Sequence, residues 1–568
     1  MAVRSALLVG LAWLYRFEVE ASDELVESVT FLGSPHTPET YVKAGYSAGI
    51  LGALVPIGFT LWLPWYAVVG ISLGCSLVSM HVVQTLPHVL ASFERTEALG
   101  DAPTLIGRAV LRMQIEPSTE SAIRFAAETG SSSLARNLET HVEAAVGTPR
   151  TGLLSFAEEW ADRFPAMRRS AYLLASAGEA PEAERNRTLD RSLAAVLDGT
   201  RDRMAEFTNA IRGPTTILYA FGVMVPLALV ALVPAVGFVG YELSIWYLVV
   251  GYDVVLPIVL VGASLWLLAR RPIAFPPPKV TRAHPDVPPR ALPTLLWGGL
   301  GTLAGYALVT AVGVGYLAPI ASGGLGIAGA LIGYVRPILQ VRTYVREVEA
   351  DLTDALYLTG RLVDDGNSVE TAIQRAGEQV PGETGDLFAR AAGLQRRLHV
   401  SVHEAFLGEY GVVTTVPSPR VRATVELLAI AAEQGAPAGR AIVSMADHLD
   451  ELRDVEAQTR RQLSTITDTI DNTATFFGPM VAGATVGLAG GLAGEGTAIV
   501  DGATTLPIEQ LGIVIGVYVV SLSFILVPLA VALEDGLDWP LLGYRIGRSL
   551  LGAVPIYVVT IVVVGATF

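Results

Sequence analysis

Apolar residues gather along this chain in blocks of about 20, and between the blocks they thin to one position in every three or four. A block of about 20 apolar residues is the length a helix needs to cross the hydrocarbon core of a bilayer. Nine such blocks lie near 44–63, 65–84, 215–238, 246–267, 293–312, 315–335, 475–493, 509–533 and 548–567. The thinner pattern fills two long stretches, 85–213 and 336–474. In "LARNLETHVEAAV" and "DALYLTGRLV" the apolar residues recur at three and four positions, the helical period. Each stretch has room for a bundle of about six short helices. No strand-like alternation is sustained. The pattern predicts an all-α polytopic membrane protein of about nine transmembrane helices with two helical-bundle domains.

Arginine and lysine orient the spans. No Lys or Arg falls in 44–94, 213–269, 291–335 or 462–544. Each gap holds one pair of apolar blocks and the turn that joins them. Those turns, such as "GYELS" and "GEGTAIVDGATTLPIEQ", carry only acids. Cations stay on the cytosolic side of a membrane, so the turns face outward and everything else polar faces inward. This gives a cytosolic N-terminal segment at 1–43, spans at 44–84, a cytosolic bundle at 85–213 and spans at 214–267. A cytosolic linker follows at 268–292, then spans at 293–335, a second cytosolic bundle at 336–474 and spans at 475–533. A cytosolic loop at 534–547 and a last span at 548–567 end with the C-terminus outside. The stretch "ALLVGLAWLY" near the N-terminus is too short to span and lacks a small-x-small cleavage site; an interfacial or cytosolic helix is expected. The linker "RRPIAFPPPKVTRAHPDVPPR" is too rich in proline for a packed helix and reads as a stiff, extended connection.

The two halves echo each other. "STESAIRFAAETG" from Ser118 returns as "SVETAIQRAGEQV" from Ser368, 250 residues on. "GRAVL" at Gly107 parallels "GRLVD" at Gly360, and "YLLASAGE" parallels "ELLAIAAE". Pro87 aligns with Pro337, and Pro226 with Pro479, at offsets of 250 and 253. Nearly constant offsets through polar and apolar regions alike imply a parallel internal repeat of two spans, a bundle and two spans, with a ninth span added. In the shared phrase, Ser118 and Ser368 read as N-caps. Glu120 and Glu370 fall in the first turn, where the helix dipole favours them. Ala122, Ile123 and Ala126, like Ala372, Ile373 and Ala376, form a narrow apolar face. Copies differ at Arg124 against Gln374 and Phe125 against Arg375, the positions to inspect for divergent tasks.

Composition changes this picture in two ways. Of 568 residues, 51% are hydrophobic and 16% charged, which agrees with a large share of chain in lipid. The net charge is −15, and Lys43 and Lys279 are the only lysines. An acidic, lysine-poor chain suits hydration in high salt, where self-repulsion is screened, and hints at a halophilic archaeal source. It also lacks the basic face that nucleic acid requires. Cys75 is the single cysteine, so no disulfide within the chain and no cysteine metal cluster can form.

Recognisable catalytic chemistry is sparse. Neither lysine stands in the Gly-Lys-(Ser/Thr) context of a phosphate-binding P-loop, and there is no Gly-x-Ser-x-Gly or His-Glu-x-x-His. "HVSVHE" sets His399 and His403 four apart, which on one helical face could begin a metal site, but further ligands are not evident; no metal and no cofactor are expected. Asp253 lies inside the fourth apolar block, near its outer end. An acid at such a position is read as functional by default, with a polar helix–helix contact as the plainer reading.

Two helical bundles, each leading into a proline-bearing span, resemble the F-protein family of type II secretion and type IV pilus machines. "GNSVETAI" at Gly366 is similar to that family's bundle helix start, and "EPSTESAI" at Glu116 is similar without the glycine. "SAGEAPEAERNRTLDRSL" and "AAEQGAPAGRAIVSMADHL" resemble its Gly-Glu turn into a long helix, with Glu179 and Glu433 at the motif and no glycine before Glu433. Nine spans and a doubled bundle look like the archaeal branch, the membrane platform of the archaellum or of adhesion pili. The resemblance implies a non-enzymatic scaffold in the cytoplasmic membrane, expected as a homodimer, whose bundles meet a separate hexameric secretion ATPase and pass its motion to pilin or archaellin subunits. Arginines pair well with a partner's carboxylates. Arg396–Arg397 and Arg460–Arg461, then Arg168–Arg169, are the candidate contacts. A secondary transporter is the competing reading.

Overall fold

The computed structural model describes residues 2–54, 65–130, 132–145, 152–233, 244–271, 280, 284, 287, 292–434, 438–496 and 507–567. Helix dominates among them and no strand is present. The chain divides into two compact units, Met1–Glu97 and Ala98–Phe568.

The first unit is built from α1 (Ala2–Leu14), α2 (Asp23–Phe31), α3 (Pro38–Leu54) and most of α4 (Trp65–Gly100). Ser22 caps α2 by accepting from the Leu25 amide at 3.3 Å, and Leu25 and Val29 bury against Val42 of α3. Arg95 of α4 reaches Glu27 at 2.8 Å. After α1, Tyr15 stacks on Tyr46 of α3 with ring centroids 4.9 Å apart. The expected first span, 44–63, begins in α3, and its remainder falls outside the described residues.

The second unit holds two helical stretches interleaved with apolar helices. The first stretch comprises α5 (Ala102–Ile115), α6 (Thr119–Thr129), α7 (Ser133–Ala145), α8 (Gly152–Glu159), α9 (Pro165–Glu179) and α10 (Glu182–Tyr219). A π-helix, Ala220–Met224, leads from α10 into α11 (Val225–Val230). Then come α12 (Ile245–Leu248), a second π-helix at Val249–Val255, α13 (Leu256–Leu268), α14 (Leu292–Val312) and α15 (Ala318–Ala350). The second stretch comprises α16 (Leu352–Asp364), α17 (Val369–Gln379), α18 (Gly382–Leu398), α19 (Val402–Leu407), α20 (Pro419–Gln434) and α21 (Ala438–Asn472). A third π-helix, Thr473–Phe477, leads into α22 (Gly478–Gly496), and α23 (Ile508–Glu534) and α24 (Trp539–Thr567) finish the chain.

Eight helices among the described residues are long and apolar enough to cross a membrane. They coincide with eight of the nine expected blocks; the 44–63 block is the one not among them. Their outer faces leave large apolar side chains uncovered: on α14, Leu295, Leu300 and Leu303 are 70%, 64% and 71% exposed. Such a stripe is unfavourable in water and natural against acyl chains. Between helices the contacts use small residues, as in lipid no hydrophobic drive favours helix association. On α14, a Cβ at Gly301 would lie 2.1 Å from the Leu325 carbonyl oxygen of α15, and one at Gly329 of α15 would lie 2.1 Å from that of Trp297. Backbone meets backbone there, and only hydrogen fits.

The paired polar phrases open α6 and α17. Ser118 accepts from the Ser121 amide at 3.3 Å, and Ser368 from the Thr371 amide at 3.2 Å. Ala122, Ile123 and Ala126, with Ala372, Ile373 and Ala376, are all buried. The linker valines Val280 and Val287 pack on Ile338 and Val341 of α15; most of the linker lies outside the described residues.

Candidate functional site

The structure gathers its polar machinery in three places: the seam between the two stretches, the π-helices, and a short acidic loop between α23 and α24. The seam forms where α5 and α10 pack on α20 and α21. Leu111 of α5 is buried within the core of the second stretch, and Ile115 and Phe125 pack against that core. Phe125 therefore serves as an apolar seam residue, while its aligned position Arg375 faces solvent. Near the same seam, burial lowers the pKa of Arg108, against the opposing pull of Asp101 and Glu426. Its Nε and Nη1 are buried without a hydrogen-bond partner. His448 of α21 is also buried, and its Nδ1 lies 2.6 Å from the Ser444 carbonyl oxygen. Burial holds His448 below its ordinary value, although that carbonyl and the carboxylates of Glu451, Asp190 and Asp447 pull the other way.

Two of the π-helices occupy matching places. Ala220–Met224 and Thr473–Phe477 are each five residues long, lie 253 residues apart, and join a long polar helix to an apolar one. Pro226 and Pro479 stand two residues beyond their ends. A π-turn widens the helix and displaces carbonyls from the regular ladder, and the proline that follows has no amide to donate. Neighbouring helices answer these groups. Tyr518 of α23 donates to the Gly222 carbonyl at 2.6 Å, and Tyr252 donates to that of Pro226 at 2.5 Å. The two rings meet edge to face at 5.7 Å. At the other π-helix, Thr475 lies 2.9 Å from Ser549 of α24, which lies 3.1 Å from Ser523 of α23. Thus α23 touches the polar network of both.

The loop "EDGLD" at 534–538 turns on Gly536, whose φ is +91°. A left-handed backbone of that kind favours glycine. Acids at the end of α23 oppose its dipole, and four arginines compensate. Arg342 of α15 binds Asp538 through both terminal nitrogens at 2.7 Å, with both residues buried. Asp538 also caps α24 by accepting from the Leu541 amide at 2.8 Å. Arg271, just beyond α13, donates to the carbonyls of Ala532 and Glu534 and so satisfies the C-terminus of α23. Burial pushes its pKa down to about 10, against the pull of Asp535 and Glu534; the guanidinium stays charged at neutral pH. Arg545 reaches Glu534 at 2.9 Å. Arg460 of α21 reaches Asp535 at 2.6 Å.

Of the candidate contacts Arg460 and Arg461, Arg460 has an internal ion-pair partner and its side chain stays about half exposed. Its neighbour Arg461 is exposed and has no ion pair among the described residues. Arg396 and Arg397 stand exposed in the last turn of α18, also without an ion pair among the described residues. Arg168 lies 3.9 Å from Glu158, and Arg169 is exposed. Glu120 and Glu370 occupy the first turns of α6 and α17. Glu179 ends α9 and Glu433 lies near the end of α20, both exposed. None of these side chains converge on one another.

The structure corrects the reading of His399 and His403 as lying on one helical face. His399 caps the C-terminus of α18 in a left-handed conformation with φ +54°, and His403 lies in the first turn of a separate helix, α19. The helical spacing that would align them is broken between them. Among the described residues no group of three or more His, Cys, Asp or Glu side chains is placed to hold a metal. Asp253 sits in the π-helix Val249–Val255, with Oδ1 buried and lacking a hydrogen-bond partner. The side chain of Cys75 lies outside the described residues.

Sequence reasoning missed the acidic loop and the π-helices. The loop had a signal: three acids within five residues, directly after an apolar block. The π-helices had only the adjacent prolines. No family model, curated protein or solved structure matches this chain.

Proposed function

We propose that the chain is a membrane platform for assembling a type IV pilus-like filament or an archaellum, carrying motion from a separate secretion ATPase to pilin or archaellin subunits. One observation supports this most: each polar helical stretch ends in a long helix, α10 or α21, that runs through a matching π-helix into an apolar one. A rigid helix of that kind transmits displacement at one end to the other. The equal offset of the π-helices, the paired N-caps and the equal helix order support an internal repeat of two spans, bundle and two spans. In this reading both bundles lie in the cytosol, the C-terminus lies outside, and the protein acts as a homodimer in the cytoplasmic membrane. Energy comes from the partner ATPase, and the exposed Arg396 and Arg397 of α18 are its contact.

The test is recovery of the ATPase on immobilised protein in matched salt. Arg396→Glu with Arg397→Glu is expected to reduce recovery at least fivefold, on the scale of about 1 kcal/mol for a charged interface contact. Undiminished recovery refutes the contact, and absence of any ATPase association in the wild type refutes the platform reading. Deletion of the gene with separate scoring of motility and surface adhesion then distinguishes archaellum from pilus. The competing transporter reading draws on one observation, the unpartnered carboxylate oxygen of Asp253 inside an apolar helix. It requires substrate uptake by reconstituted vesicles with no ATPase present.

A further inference from the structure

A cavity of about 210 Å³ opens between α10 and the end of α13. Its lining includes Arg203, Glu206, Phe207 and Ile211 from α10, and Trp266 and Arg270 from and just beyond α13. Both walls run from polar to apolar in the same sense. Along α10 the lining passes from Arg203 and Glu206 to the buried Phe207 and Ile211, towards the apolar stretch that begins after Arg212. Along the other wall it passes from Arg270 back to Trp266, at the end of that same arginine-free run of 213–269. The cavity therefore lies where two membrane helices meet the polar boundary of the bilayer. Tryptophan is the residue favoured at that depth.

The charge at the cavity is unusual for this molecule. Two arginines face one glutamate, in a chain whose net charge is −15. The Arg270 guanidinium lies 3.8 Å from the centroid of the Trp266 ring and has no ion pair among the described residues. Stacking of this kind holds the guanidinium plane while leaving its edge N–H groups free to donate. Arg203 donates one N–H to the Arg163 carbonyl oxygen at 2.9 Å, which positions it without neutralising it. Neighbouring Arg271, by contrast, is buried and spent on the end of α23. The volume is several times the roughly 30 Å³ share of one water molecule, so a phosphate group fits.

We propose that this cavity binds the phosphate of an anionic phospholipid, with Arg203 and Arg270 as phosphate ligands and Trp266 and Ile211 against the start of the acyl region. Basic pockets between membrane helices at the polar boundary recognise lipid headgroups through such a pairing of charge and apolar wall. A free inorganic phosphate presents the same anion but has no use for the apolar wall.

The experiment uses the full chain, purified from micelles of equal phosphatidylglycerol and phosphatidylcholine. Lipid retained after delipidation is counted by mass spectrometry. The wild type is expected to retain phosphatidylglycerol in preference, and Arg203→Ala with Arg270→Ala to lower its apparent affinity by about fivefold per arginine. Arg270→Lys keeps most of the affinity, and Arg440→Ala, exposed and outside the cavity lining, changes nothing. Equal retention of the two lipids by the wild type, or unchanged retention by the double variant, overturns the proposal. So does a loss in Arg270→Lys as large as in Arg270→Ala, which marks a purely structural stacking role. Displacement of the lipid by millimolar inorganic phosphate assigns the cavity to the free anion and overturns the lipid source. If the double variant does not fold, quenching of wild-type tryptophan fluorescence by brominated phosphatidylglycerol decides: a drop in Trp266→Phe supports the proposal and an unchanged signal rejects it.

Discussion

Arg342 and Asp538 show how one residue pair can bind distant parts of the chain. They stand 196 residues apart, both are buried, and their two 2.7 Å bonds tie α15 to the start of α24. A buried charge without its partner is far costlier than a buried pair or a buried apolar pair. Arg342→Ala is therefore expected to lower the stability of the purified protein by about 3–5 kcal/mol. Arg342→Met combined with Asp538→Leu should recover much of that loss. Thermal unfolding in a fixed detergent reads both, and a single variant as stable as the wild type refutes the role of the pair. Phe125 makes the same point from the apolar side. Its sequence partner Arg375 kept the exposed position, while Phe125 turned to the core of the other stretch. The sequence showed that the two positions differ; only packing showed why.

Elements in this protein are shaped by what they must cover. In α14 and α15, Gly301 and Gly329 bring backbones so close that a Cβ has no room, meeting carbonyl oxygen at 2.1 Å in each case. Gly301→Leu is expected to separate the helices and to cost at least about 2 kcal/mol, the scale of a forced overpacking. The check is its unfolding midpoint beside that of Gly299→Leu, whose Cβ has open space. Equal midpoints refute the close approach as a source of stability. The π-helices differ in origin. In the first, the Gly222 carbonyl, whose regular partner position is Pro226, is satisfied by Tyr518 from another helix. A local sequence window holds no trace of such a partner.

At the scale of the whole molecule the two helical stretches share a buried seam, and His448 makes that seam sensitive to pH. The groups acting on it are Asp190 of α10 and Glu451 and Asp447 of its own helix. Its folded-state pKa lies below the ordinary 6.5. The unfolded chain therefore binds the proton first as pH falls through 6.5, and stability decreases from there down to the folded value. Above 6.5 the contribution is fully present. Between pH 7.5 and 5.5 the wild type should lose more stability than His448→Gln, read as a larger fall in unfolding midpoint. Parallel losses in both proteins refute the assignment. The acidic loop acts at the same scale, because arginines from α15, α21, α24 and the residues beyond α13 all close on it.

The helical character of both stretches, eight of the apolar helices and the two N-caps were legible in the sequence, because each depends on local composition and period. Block length is set by bilayer thickness, and a capping serine needs only an amide three residues away. The fate of the candidate arginines was not legible. Arg460 and Arg461 are adjacent and alike in sequence, yet one is drawn into the loop at Asp535 and the other faces solvent. His399 and His403 had helical spacing, and the left-handed conformation of His399 itself ended the helix before His403. Sequence by itself determined where helices form and which blocks favour lipid, since those choices are made within a few turns of chain. Tertiary structure decided which charges are consumed internally and which carbonyls need a distant donor. Those outcomes depend on groups as many as 296 residues away, as from Gly222 to Tyr518.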